Sequence, residues 1–128
     1  MNNDRIRAFT DLKVWQEAHK LAVLVYEMTE KLPAKETYAL GDQMRRATSS
    51  VTSNIAEGFG RRSFKEKIQF YYLAQGSLSE LKSQIFLAKD VSYIGGESFK
   101  NLMDQSDTAH RLLRGLITKS KIFLNRTS

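Results

Sequence analysis

Pro33 is the only proline in the chain, and the seven glycines sit mostly where the apolar pattern breaks. A chain with so few breakers, whose apolar residues recur at spacings of 3 and 4 over long runs, is built of long helices. No stretch alternates apolar and polar residues as a half-buried strand would. At 128 residues the chain suits one domain around a single core, with no low-complexity tract and no internal repeat.

The pattern predicts four helices. The first spans about 12–31, with Asp11 as its cap and Val14, Ala18, Leu21, Ala22, Val25, Met28 and Leu32 on one stripe. Pro33 ends it, because proline lacks an N–H and disfavours helix at the residue before it. The second spans about 40–57 on Leu40, Met44, Ala47, Val51 and Ile55. Gly58 then offers a left-handed close, so Gly58-Phe59-Gly60 reads as a joint. A phosphate-gripping loop would need a strand before it, and none is visible. The third spans about 64–91, started by Ser63 with Glu66 three residues on as a capping box. Gly95 and Gly96 make the next turn, and the fourth helix spans about 97–124, its acids Asp104 and Asp107 early and its cations late, as the helix dipole favours. Four helices with short joints imply an all-α, antiparallel up-down-up-down bundle.

The third helix is apolar on more than one side. Phe70, Leu73, Phe86 and Leu87 fall off its main seam, and a helix apolar on two faces must bury both. One face packs in its own bundle and the other is expected to meet a second copy. Trp15, with Phe9, Tyr26 and Phe123, is a further candidate for such an interface, stacking on unpaired bases being the rival use of these rings. Small residues at Ala47, Ser50, Ser53, Ala74, Gly76 and Ser77 read as places of close helix approach, not as nucleophiles, since no base or elbow accompanies the serines.

The formal net charge is +6, and its placement matters more than its size. Thr108 to Ser128 carries Arg111, Arg114, Lys119, Lys121 and Arg126 with no acid. Arg61, Arg62, Lys65 and Lys67 gather near the second joint against Glu66 alone, and Arg45 and Arg46 lie on the second helix. Cations gathered this way form a candidate polyanion-binding rim, though a solvated face explains them as well. No RNA-binding motif such as RNP1 or a KH-type GXXG is present. Asn54 and Glu57 share one face at the end of the second helix. There a carboxylate opposes the dipole, so Glu57 needs Arg61, Arg62 or a neighbouring N-terminus as partner in a structural clamp. Cysteine is absent, and His19 and His110 have no ligand spacing around them, which argues against a metal site, a cofactor or an enzyme. The N-terminal residues show no apolar leader, and no apolar run approaches the ~20 residues of a membrane span, so a cytoplasmic protein off the membrane is expected.

Three segments, F-T-D-L-K-V-W-Q-E-A-H-K-L-A, Q-M-R-R-A-T-S-S-V-T-S-N-I-A-E-G-F-G-R and G-S-L-S-E-L-K-S-Q-I-F-L-A-K-D-V-S-Y-I, resemble the bacterial four-helix bundle family named for reading frames in 23S rRNA intervening sequences. The resemblance covers about 9–94, with the fourth helix loosely shared. It implies a ring-like homopentamer, and a distant similarity to the accessory variability determinant proteins of diversity-generating retroelements, basic pentameric barrels that bind nucleic acid and a reverse transcriptase. The motif carried over is Arg46, Asn54, Ile55, Ala56, Glu57 and Gly58; Thr52 stands where many relatives have proline, which implies a straighter second helix. No catalytic residue is implied. Five copies of +6 would carry about +30, so a modest patch becomes a strong polyanion binder by avidity. The expectation is a non-enzymatic oligomer that binds RNA or DNA. The alternative is a scaffold that captures a protein partner and uses its cations for solubility.

Overall fold

A computed structural model describes residues 5–127; the reading of the N-terminus as lacking a leader falls in part on residues 1–4, outside the described residues. The described chain is all-helical. A 3₁₀ turn at Phe9–Asp11 leads into α1 (Lys13–Thr29), a second at Ala34–Glu36 follows Pro33, and α2 (Leu40–Gly60), α3 (Phe64–Asp90) and α4 (Gly96–Thr127) complete the order. Each helix packs on two others, α1 against α2 and α4, and α3 against α2 and α4, so the four close into a square bundle. Along the α3–α4 seam Phe64 stacks on Phe123 and Phe86 meets Phe99, so the register falls on one helix as it rises on the other, and the pair is antiparallel.

The stripes expected of the sequence line the core. Leu21, Val25, Met44, Ile55, Leu78, Leu81, Ile85 and Leu113 are all fully buried. Ser63 caps α3 as the pattern demands: its Oγ accepts from the Glu66 N–H at 3.1 Å and donates to the Glu66 carboxylate at 3.2 Å.

Four local expectations fail, each for a physical reason. Asp11 does not cap α1. Its carboxylate faces backwards and accepts from the N–H groups of Arg7 and Ala8, both at 3.0 Å, and those bonds hold its pKa below the ordinary value. Leu12 is the N-cap of α1, with no side-chain bond to the helix. Gly58 is not a left-handed close: α2 continues to Gly60, and no glycine among the described residues has a positive φ. A Cβ at Gly58 would lie 2.6 Å from Tyr71 Cε1 and 3.1 Å from Phe70 Cβ, so this glycine lets α3 approach rather than letting the chain turn. Gly76 was expected to serve close packing, yet it is exposed, with nothing within 4 Å of a Cβ there.

The α3–α4 turn is made by Ser92, not by Gly95 and Gly96. Ser92 has φ 66°, and its N–H bonds the Lys89 carbonyl while the Tyr93 N–H bonds that of Ala88, the two hydrogen bonds of a Schellman close. A left-handed serine costs about 1 kcal/mol that glycine avoids. Ser92→Gly should therefore raise stability by about 0.5 kcal/mol after the unfolded chain's greater freedom is counted, measured as a higher urea midpoint at unchanged m-value.

Candidate nucleic-acid interface

Half of the rim expected around the α2–α3 joint is committed to structure. Arg45 reaches from α2 to the Thr37 carbonyl at 2.7 Å and to Asp42 at 2.8 Å, and so braces the connection ahead of α2. Arg61 donates to Glu57 at 2.7 Å and approaches Glu66 at 3.5 Å, while its guanidinium lies 4.6 Å over the Phe70 ring. This is the clamp that Glu57 needed, and it also places Phe70 inside the subunit's own packing. Lys67 donates to the carbonyls of Phe59 at 2.6 Å and Gly58 at 3.3 Å, closing the C-terminus of α2. Burial holds its ammonium pKa below the ordinary range. Arg46, Arg62 and Lys65 are exposed.

Asn54 belongs to a polar seam between α2 and α3. Its amide donates to the Ser50 carbonyl at 2.8 Å and to Ser50 Oγ at 3.0 Å, and that hydroxyl lies 2.7 Å from Ser77 Oγ. The serines thus bond across the closely packed helices, as small polar residues at a tight contact can.

The expected interface residues do not share one setting. Trp15 packs half-buried at the start of α1, edge-on to Phe9 at 5.2 Å and stacked on His19 at 4.7 Å. Phe86 meets Phe99 edge-on at 5.1 Å. Leu73 and Leu87 stay 56% and 51% exposed, and between them the outer side of α3 carries Gly76, Glu80 and Ser83, also exposed. With Tyr72, Phe86 and Val91, which are 43%, 49% and 47% exposed, the two leucines form one apolar cluster toward each end of α3 rather than one unbroken stripe.

The fourth helix divides its cations. Arg111, Arg114, Lys119 and Lys121 are exposed. Lys119 and Arg111 border a depression shared with Leu12 and Val14 on the α1 side. Arg114 and Lys121 turn to α3, where with Tyr72, Gln75, Ile117 and Thr118 they line a shallow hollow of about 280 Å³. Lys121 Nζ stands 5.0 Å over the Tyr72 ring. Further along the groove Lys82 bonds Asp107 at 2.9 Å and His110 Nδ1 at 2.8 Å. Burial, then the charges of Lys82 and Arg114, hold the His110 pKa below its ordinary value, with Asp107 opposing them. Lys89 Nζ lies 5.1 Å over the Phe99 ring beside Phe86. Aromatic rings and cations therefore alternate between α3 and α4. Lys82 and Lys89, like Arg114 and Lys121, are seven apart, and that two-turn spacing was the available signal.

Among the described residues no three His, Cys, Asp or Glu side chains come together to hold a metal ion, and no helix is long and apolar enough to cross a membrane. The fold and surface define a basic four-helix bundle whose open features are grooves between helices. The chain belongs to the 23S rRNA-intervening sequence protein family, whose sequence pattern matches residues 10–115 and so reaches well into α4, beyond the 9–94 of the resemblance. The fold matches the crystal structure of a protein of unknown function from the S23 ribosomal protein family of Bacteroides thetaiotaomicron VPI-5482. The TM-score is 0.77 at 21% identity, covering 82% of this chain and 95% of that one. No curated protein matches the chain.

Proposed function

We propose that the protein acts without catalysis, as a homo-oligomer that binds RNA. The observation that carries this reading is the exposure of Arg111, Arg114, Lys119 and Lys121 on a stretch of α4 that contains no acid after Asp107. The family's name, which refers to intervening sequences of 23S rRNA, supports RNA as the class of ligand. Exposed Leu73 and Leu87 support association of copies, and a ring of five is the arrangement that the family resemblance implies. In such a ring each weak basic patch acts together with its neighbours, and avidity replaces single-site affinity.

Salt-dependent binding measured with light scattering on the same sample tests the reading. If about four phosphates meet these four cations, the slope of log K against log salt is about −3 for a single strand, and affinity falls roughly 60-fold between 50 and 200 mM. The oligomer should scatter as a multiple of the 14.7 kDa chain. A flat salt response or a purely single-chain mass would overturn the corresponding half of the proposal. The scaffold reading, in which a protein partner is captured instead, gains from the same two leucines. It would be favoured if Arg62→Glu with Lys65→Glu and Arg114→Glu left partner capture intact in a protein that never bound RNA.

A further inference from the structure

Resting on that reading, we infer that the ligand is single-stranded and lies in the α3–α4 groove. Its unpaired bases stack on Tyr72 and Phe86, and its phosphates meet Arg114, Lys121 and Lys89. Tyr72 and Phe86 are 43% and 49% exposed, rings left open to solvent although the core is otherwise well filled. Each has a cation beside it. Lys121 stands over Tyr72 itself, and Lys89 stands over Phe99, which meets Phe86 edge-on. An open ring with an adjacent cation is what a sequence-tolerant single-strand site requires, because every base has a face to stack and every nucleotide a charge to neutralise.

The groove also has the reach. Fourteen residues separate Tyr72 from Phe86, about 21 Å along the helix, which at the 3.4 Å rise of a stacked strand holds about six nucleotides. Thr118 and Gln75, the latter with its amide 3.4 Å from His110 Nε2, line the hollow beside Tyr72, where their free donors and acceptors can meet base edges or sugar hydroxyls. Asp107, which borders the path, is already answered by Lys82 at 2.9 Å. The rim at the α2–α3 joint keeps Arg46, Arg62 and Lys65 exposed but sets no open ring beside them, since Phe59 and Phe70 are partly buried. Arg45, Arg61 and Lys67 are taken up by Asp42, Glu57, Glu66 and backbone carbonyls, and would have to break those bonds to bind phosphate. A duplex hides its base faces and would leave both rings unused.

Fluorescence anisotropy with a labelled, unstructured 12-nucleotide RNA and the same RNA annealed to its complement tests the placement at 50 mM salt. The full chain is compared with Tyr72→Ala, Tyr72→Phe, the pair Arg114→Gln with Lys121→Gln, and the rim pair Arg62→Gln with Lys65→Gln; circular dichroism confirms that each is helical. Tyr72→Ala should weaken single-strand binding roughly tenfold, and Tyr72→Phe should leave it within about twofold. The groove pair should flatten the salt slope by about 1.4, and the rim pair should change affinity less than the groove pair does. The duplex should bind more weakly than the single strand. If the rim pair abolishes binding while the groove variants keep it, or if duplex and single strand bind alike and Tyr72→Ala is silent, the groove assignment is wrong and RNA binding still stands. If the unaltered protein binds neither RNA, the functional reading falls and takes this inference with it.

Discussion

Gly58→Ala should lower the stability of the folded protein by about 2 kcal/mol, although alanine is the better helix former by about 1 kcal/mol. The reason is space. The new methyl would sit 2.6 Å from Tyr71 Cε1 and 2.9 Å from Cδ1, on a ring that is only 2% exposed and has nowhere to swing. Either α2 and α3 separate along their most extensive contact, or the ring leaves its place in the core and disturbs Phe70 above it. Both responses spread, because interiors pack near crystal density and pass strain on. Gly76→Ala is the control. Its methyl meets nothing, so the ordinary helix gain of about 1 kcal/mol should be seen in the single subunit. Urea unfolding of the two variants beside the parent should therefore move midpoints in opposite directions. Destabilisation of similar size in both would mean that α2 and α3 do not approach as closely at Gly58 as described.

The same glycine shows what sequence could and could not tell. The stripes Leu40-Met44-Ala47-Val51-Ile55 and Leu78-Leu81-Ile85 are visible as periodicities, and they fix the helices and the buried faces. A glycine after a stripe, however, has two uses, a left-handed turn or a close crossing, and only the distance to another helix separates them. Asp11 is a similar case: an acid just before a helix can serve that helix or the turn behind it, and the backbone of Arg7 and Ala8 lies nearer. Ser92 carried no signal at all, since serine is rarely left-handed, while Gly95 and Gly96 next to it looked like the obvious turn. For the surface, charge was legible but engagement was not. Arg61 and Lys67 count equally with Arg62 and Lys65 in a sequence sum, yet the first two hold the chain together. The groove needed Tyr72, Lys82 and Lys89 of α3 set against Arg114 and Lys121 of α4, and the register between two antiparallel helices is not written in either one alone.

Acid should remove part of the stability through Glu17. This carboxylate is buried between α1 and α4, ion-paired to Lys13 and Lys20 at 3.1 Å each, and it accepts from the Gln105 amide at 3.0 Å. The Gln105 bond first, then the two lysines, pull its pKa from an ordinary 4.5 to about 2. A depressed carboxylate pKa stabilises the fold above the unfolded value, and that stability is lost as pH falls through the folded one. The window is therefore from about pH 4.5 down to about pH 2. The full shift would amount to about 3 kcal/mol; since both lysines reach into solvent, about 2 kcal/mol is the expected size. Glu17→Gln provides the comparison, because the amide keeps an acceptor for Gln105 but cannot titrate or pair with the lysines. Parent and variant should differ by about 2 kcal/mol in urea unfolding at pH 7 and converge toward pH 2. Other carboxylates titrate in the same range, but they are common to both proteins and cancel in the difference. Parallel stability curves, with the gap unchanged at low pH, would mean that Glu17 contributes by packing and not by its charge. The tie between the first helix and the last would then rest on the bond that Gln105 also makes to the Glu17 backbone carbonyl at 2.9 Å, which no side-chain change at that position removes.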